Sequence, residues 1–151
     1  VLSMTNVNGF KACMCSEKNL AKALARMTYA FSNATCPKVN LITGEAFGSA
    51  YVAFNSKSIG ADLVYAYPEA KVGMMEPELA AKIMYPNADA TELSEKTAEY
   101  TKLQSSVSSA AARGYVDLII EPADTRKYLV AAFEMLYSKC EFAPEKKHGT
   151  K

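Results

Sequence analysis

"KVNLITGEAFGSAYVAFNSKSIGADLVYAYP", residues 38–68, is the stretch on which the fold turns. In "KVNLIT" the residues Val39, Leu41 and Thr43 alternate with their neighbours, the period of a short strand. Small residues then crowd "GEAFGSAY", residues 44–51, and predict a glycine turn. "SAYVAFNSKSIG" has the small and apolar composition of a short helix, with Gly60 placed to end it in a left-handed conformation. "DLVYAYP" returns to a strand. A strand, a tight turn, a helix and a second strand make a parallel crossover unit.

The same alternation extends outward in both directions. Upstream, the opening "VLSMTNVNGF" is strand-like, and its position at residue 1 predicts the interior of a larger protein, with neighbours supplied by another segment or chain. Leu20, Ala23, Leu24, Met27 and Phe31 then recur at helical spacing, with Lys18, Lys22 and Arg26 on another face, Ser16 as N-cap and Pro37 as the stop. Downstream, "KVGMM" predicts a strand and "EPELAAKIM" a helix opened by its proline. Thr91 to Arg113 predicts one long or broken helix stopped by Gly114. "YVDLIIEP" reads as a strand. The last helix carries Leu129, Val130, Phe133, Leu136, Tyr137 and Cys140 on one face. The organisation expected is one α/β unit over residues 1–140 and a polar tail over 141–151.

Composition limits the function. The chain has 151 residues, 50% of them hydrophobic and 22% charged, with a net charge of +1, so it can bury a core but offers no basic stripe for nucleic acid. The apolar runs, such as Ala50 to Phe54 and Gly114 to Ile120, fall far short of a membrane span, and the expected location is cytoplasmic. Four cysteines, Cys13, Cys15, Cys36 and Cys140, are too irregular for a disulfide framework. The Cys13 and Cys15 pair with His148 lacks the spacing of a structural zinc site, so no metal is expected.

The turn at residues 44–51 matches none of the familiar strand-turn-helix chemistries. It has no lysine for a phosphate loop, no G-x-G-x-x-G, and its serine sits in F-G-S-A-Y rather than G-x-S-x-G. His148, in the tail, is badly placed as a base for Ser49. Two readings stand open. Either Gly48, Ser49 and Ala50 merely let helix and strand pack closely, or they let a substrate oxygen approach the exposed N–H groups of a helix start, an oxyanion hole.

Longer stretches carry a resemblance. "ATCPKVNLITGEAFGSAYVAFNSKSIGADLVYAYPEAKVGMMEPELAAKIMY" resembles the A-x-V-P-K-[IV]-T-V-I-x-R-K-A-Y-G-G-A-Y, S-K-x-x-G-A-D and M-G-P-E-G-A-A blocks of the carboxyltransferase subunits of biotin-dependent acyl-CoA carboxylases. "AAARGYVDLIIEPADTRKYLVAAFEML" is similar to their G-[YF]-[IV]-D-x-[IV]-I-x-P-x-x-T-R block, "PEKKHGTK" to their closing P-x-K-K-H-G-N, and "LSMTNVNGF" to their strand and turn before a G-F pair. The resemblance implies a crotonase-like α/β fold, a spiral of ββα units, and within it the C-terminal, biotin-side lobe. It implies carboxyl transfer between carboxybiotin and an acyl-CoA, or the reverse in a sodium-pumping acyl-CoA decarboxylase. The implied cofactor is biotin on a carrier domain, with a coenzyme A thioester as substrate. The implied partners are a coenzyme A-binding lobe, the biotin carboxyl carrier and biotin carboxylase subunits, and further copies of the chain.

By the same resemblance the biotin-side oxyanion hole falls on the backbone N–H groups of Ser49 and Ala50. Phe47, Gly48, Val52, Met75 and Glu76 are the expected binding residues, with Val52 at the acyl pocket and suited to an apolar group. Ser49 stands where the family has a glycine, and Glu76 and Leu79 stand where M-G-P-E-G-A-A has two more. Those departures motivate a second reading, a scaffold subunit that kept the fold and lost the chemistry. A crotonase-type hydratase is a third, disfavoured because no pair of well-placed acids is visible. Among other residues, Asp117 is expected to pair with Arg126, Met74, Met75 and Met84 to fill core, and Tyr65, Tyr67 and Tyr115 to cap an edge with wet hydroxyls.

Overall fold

The computed structural model describes residues 1–142. Its strands are β1 (Leu2–Val7), β2 (Val39–Phe47), β3 (Leu63–Ala66), β4 (Lys71–Gly73) and β5 (Leu118–Ile119). Its helices are α1 (Met14–Asn33), α2 (Gly48–Ala53), α3 (Pro77–Met84), α4 (Ala90–Tyr100), α5 (Val107–Ala112) and α6 (Thr125–Met135). The named strands all pair in parallel, in the order β1-β2-β3-β5, while β4 also pairs with β2. β2 therefore changes neighbour along its length. Residues 39–42 pair with β3, and Glu45 to Phe47 pair with β4.

A parallel strand covered on both faces reads as a nearly continuous apolar run, and Val39, Leu41 and Ile42 are fully buried. Successive side chains leave opposite faces. Ile42, Val64 and Ala66 thus meet Val72, Val107 and Ala110 on one side, while Val39, Leu41 and Tyr65 meet Ile120 and Ala132 of the α6 layer on the other. Asn40 interrupts the apolar run and is just as buried. Its Oδ1 accepts from the hydroxyls of Thr5 at 2.7 Å and Ser3 at 3.0 Å, and Ser3 Oγ accepts from Asn55 Nδ2 at 2.9 Å. This polar string ties β1, β2 and the end of α2 together.

Several local expectations change. The N-cap of α1 is Cys13, not Ser16. Its sulfur accepts from the Ser16 N–H at 3.4 Å, and the Ser16 hydroxyl and N–H hold the thiol below its ordinary value. Gly44 lies inside β2, because Asn6 Oδ1 accepts the Glu45 N–H at 2.9 Å across a register shift opposite β1. The turn comes four residues later, at Gly48. α2 is also shorter than expected and is followed by a 3-10 turn, Lys57–Ile59, which Gly60 ends in the left-handed conformation. The Thr91–Arg113 segment breaks at a π turn, Thr101–Ser105, and at the extended Ser106 before Gly114 stops it. α6 stops at Met135, earlier than expected.

Side-chain partners differ as well. Asp117 pairs with Lys57 at 2.8 Å, not with Arg126, and accepts the Val64 N–H at 2.8 Å. Tyr65 is buried against Tyr128, whereas the hydroxyl of Tyr67 meets Thr125 at 3.0 Å. Met74, Met75 and Met84 are exposed rather than core-filling: the first two lie between β4 and α3, and α3 buries only Pro77, Ala80 and Ala81. α1 buries none of its residues fully. It is held at its end by the buried Lys38, whose Nζ donates to the Phe31 carbonyl at 2.8 Å. Among the described residues no helix is long and apolar enough to cross a membrane, and no three potential metal ligands cluster. His148 and the tail from residue 143 lie outside the described residues.

Candidate functional site

Because the sheet is parallel, β1, β2 and β4 deliver their C-terminal ends, Val7, Phe47 and Gly73, to one edge. α2 starts there. Gly48 has φ +66°, and a Cβ on it would stand 3.3 Å from the carbonyl oxygen of Met74, just after β4. Only a glycine turns the chain there without pushing the β4–α3 loop away. The first N–H groups of a helix have no intrahelical acceptor. At α2 the N-cap is Phe47, and no side chain caps them.

The predicted site residues take distinct places around this turn. Ser49 is exposed and Ala50 is 5% exposed, both in the first turn of α2. Phe47, at 1% exposure, presents no surface to a ligand and instead supports the turn, with its ring 3.4 Å from where a Gly73 Cβ would lie. Glu76 is exposed at the N-cap of α3, and its carboxylate makes no capping bond. Met75 is exposed beside it and lines neither pocket that flanks α2, whereas its neighbour Met74 lines the one beside Val52.

Two pockets flank α2. Ala50 and Phe54 wall the first, a cleft of about 290 Å³ shared with Val7 and Phe10 at the end of β1 and with Met27 of α1. Val52 and Tyr51 wall the second, of about 160 Å³, with Val72, Gly73 and Met74. Neither Glu76 nor Leu79 lines either pocket, so both remain open at those positions. Ser58 and Ala110 also line the second pocket, as do Tyr100, Gln104, Arg113 and Tyr115. Sequence reasoning missed these four residues, since they come from α4, the π turn and the segment around Gly114, far along the chain from the turn motif. Burial, and secondarily Tyr115, pushes the Tyr51 hydroxyl up to about 12.

The arrangement supplies backbone donors, a glycine cradle and two open pockets. Among the described residues the turn carries no histidine beside Ser49. Such a site stabilises negative charge on a bound oxygen and leaves the bond chemistry to what it binds.

The chain matches the family described as the carboxyl transferase domain over residues 1–150. It is 46% identical over 99% of its length to a Bacillus subtilis protein provisionally named propionyl-CoA carboxylase beta chain, and covers 31% of that protein. It is 41% identical, again over 99% of its length, to the methylmalonyl-CoA decarboxylase alpha subunit of Propionigenium modestum, and covers 30% of it. Transcarboxylase 12S, solved as a hexamer with methylmalonyl-CoA and methylmalonic acid bound, superimposes on 98% of the chain with a TM-score of 0.92 at 37% identity, the chain covering 29% of it. The chain thus spans just under a third of these relatives. With its whole described sheet and helix arrangement shared at that level, it belongs to the carboxyl transferase domain family and has that family's crotonase-like α/β fold.

Proposed function

We propose that this chain forms the biotin-side lobe of an acyl-CoA carboxyltransferase and acts when assembled with a coenzyme A-binding lobe. The observation that carries the reading is the uncapped start of α2, where the left-handed Gly48 leaves the N–H groups of Ser49 and Ala50 without side-chain partners. The replacement of a family glycine by Ser49 leaves the backbone donor in place. The same half-reaction serves carboxylation and decarboxylation, and relatives of both names match.

The residues present fit a ureido ring. The cleft beside Ala50 has apolar walls from Met4, Val7, Phe10, Met27 and Phe54 that suit a flat bicycle, with Thr5 and Asn6 as its polar residues, and it lies next to the α2 start. When bound, biotin supplies the nitrogen that carries the carboxyl group. This chain's residues then orient the ring, exclude water from it and donate hydrogen bonds to the oxygen that gains charge, which is the form of catalysis a preorganised N–H pair provides. Biotin carrier and biotin carboxylase subunits, and other copies of the chain, are the partners that this function needs.

The test reconstitutes the full-length chain with a coenzyme A lobe and follows labelled carboxyl from carboxybiotin to propionyl-CoA. Ser49→Ala keeps the N–H and is expected to retain transfer. Ser49→Pro removes the N–H but also restricts the left-handed Gly48 before it, so its fold is first matched to the parent by circular dichroism; with the fold intact it is expected to lower kcat by about 10²- to 10³-fold, the usual effect of one oxyanion donor. Equal rates for the two variants would sink the reading.

A further inference from the structure

Met4 of β1 stands in register with Leu41 of β2, so both side chains leave the same face of the sheet. The α6 layer covers Leu41, which is fully buried, but leaves Met4 60% exposed. Beside α6 an open groove of about 950 Å³ runs over these two residues. The helix and the turn after it line the groove with Arg126, Leu129, Val130, Phe133, Glu134 and Tyr137. Positions that recur every three or four residues form one continuous stripe along a helix. Leu129 and Phe133 also touch the core, whereas Val130 is 49% and Tyr137 90% exposed. Such a stripe is the seam along which one helix packs on another.

Two charges bracket its apolar part. Arg126 and Glu134 are exposed, and neither forms an ion pair among the described residues. They stand about 12 Å apart along the axis at the helical rise per residue, too far to satisfy each other. Val130 lies midway between them. A second α6 laid antiparallel along the groove, with the two Val130 side chains on a twofold axis, therefore sets each Arg126 opposite the Glu134 of the other copy. The same register brings Tyr137 to the end of the groove lined by Pro122 and Ala123. The stripe is thus complementary to itself, which is what an isologous contact requires. A small-molecule site would instead gather its polar groups at one point.

We propose that this face is a contact between two copies of the chain, an antiparallel pair of α6 helices centred on Val130, with Met4 in its apolar floor. The Arg126–Glu134 pairs set its register more than its strength. Two helices of eleven residues make a small contact beside the roughly 1,200–2,000 Å² of a stable interface, so the dimer is weak and depends on concentration. The inference does not rest on the carboxyltransferase reading, since α6 lines neither pocket that flanks α2.

The test is sedimentation velocity of the full chain from low micromolar to submillimolar concentration, with the fold of each variant first matched to the parent by circular dichroism. The parent is expected to pass from monomer to dimer over that range. Val130→Asp, at an exposed position, is expected to stay monomeric. Arg126→Glu and Glu134→Arg each place like charges opposite one another and are expected to weaken association at least about tenfold. An equal mixture of these two variants restores opposite charges at both contacts, and is expected to form a heterodimer about as tight as the parent dimer. A parent that stays monomeric throughout would overturn the proposal and leave the groove to another segment or another protein. A dimer indifferent to Val130→Asp, or a mixture no tighter than either variant alone, would overturn it equally.

Discussion

Replacing Gly48 with alanine tests the turn on which the site depends. The backbone there sits at φ +66°, a conformation that costs an L-residue about 1–2 kcal/mol. Against this, alanine restricts the unfolded chain and returns about 0.4–1 kcal/mol. The remaining term is contact. The new Cβ would lie 3.3 Å from the Met74 carbonyl oxygen, a backbone atom that moves only with the β4–α3 loop. Gly114 supplies the control, since its φ is +80° and nothing lies within 4 Å of where its Cβ would be. Gly114→Ala therefore carries the backbone cost without the contact and is expected to destabilise by about 1 kcal/mol or less, whereas Gly48→Ala is expected to cost about 1–2 kcal/mol more. For a chain of this size that difference lowers the melting temperature by roughly 2–8 °C relative to the control. Thermal unfolding of both variants, followed by circular dichroism, measures it. If Gly48→Ala melts at or above Gly114→Ala, the close approach of α2 to the Met74 carbonyl is wrong, and the oxyanion argument loses its cradle.

Asp62 and Asn55 give two further tests. Burial opposes ionisation of Asp62, but the hydrogen bonds from Lys139 and the Lys38 N–H outweigh it and hold the carboxyl below its ordinary value. Its folded-state value lies under the unfolded one, so its contribution to stability is present above about pH 4 and is lost as pH falls through the folded value. Asp62→Asn is thus expected to lower the melting temperature at pH 7 and to differ little from the parent near pH 2, and a constant difference across that range would refute it. Asn55 adopts φ +54° and donates to Ser3 Oγ and the Val39 carbonyl. Urea unfolding is expected to show Asn55→Gly less destabilised than Asn55→Ala by about 1 kcal/mol, because glycine removes only the hydrogen bonds and not the left-handed preference. The reverse order would mean that the left-handed backbone at Asn55 carries no penalty for alanine.

Much of the fold was legible because its signals are local. The alternation in "KVNLIT", the proline opening α3 and the left-handed Gly60 and Gly114 each depend on a few adjacent residues. What escaped depends on partners distant in sequence. Gly44 looks like a turn residue until Asn6, from β1, occupies the space its Cβ would need. Asp117 looks like a partner for Arg126 until the sheet brings Lys57 beside it. The methionines around α3 look like core because hydrophobicity does not say which face of a helix a neighbour covers. At the candidate site the turn could be read from "GEAFGSAY", but the polar half of the pocket beside Val52 could not, since Arg113 and Tyr115 arrive there from the end of α5, far along the chain.

The change of neighbour along β2 makes the short run from Ile42 to Glu45 a ruler. Ile42 is fixed opposite Ala66 of β3, and Glu45 opposite Lys71 of β4, so the number of residues between them is set at both ends. An insertion of one residue in that interval would reverse the faces of every side chain beyond it. Phe47 would be driven into the packed layer that now holds Ala46, and Gly48 would move off the Met74 carbonyl. An insertion between β3 and β4, in the loop of residues 67–70, leaves both pairings in register and only lengthens a connection. Length can therefore vary in that loop, while the middle of β2 is where a single added residue would dismantle the site with the rest of the fold still standing.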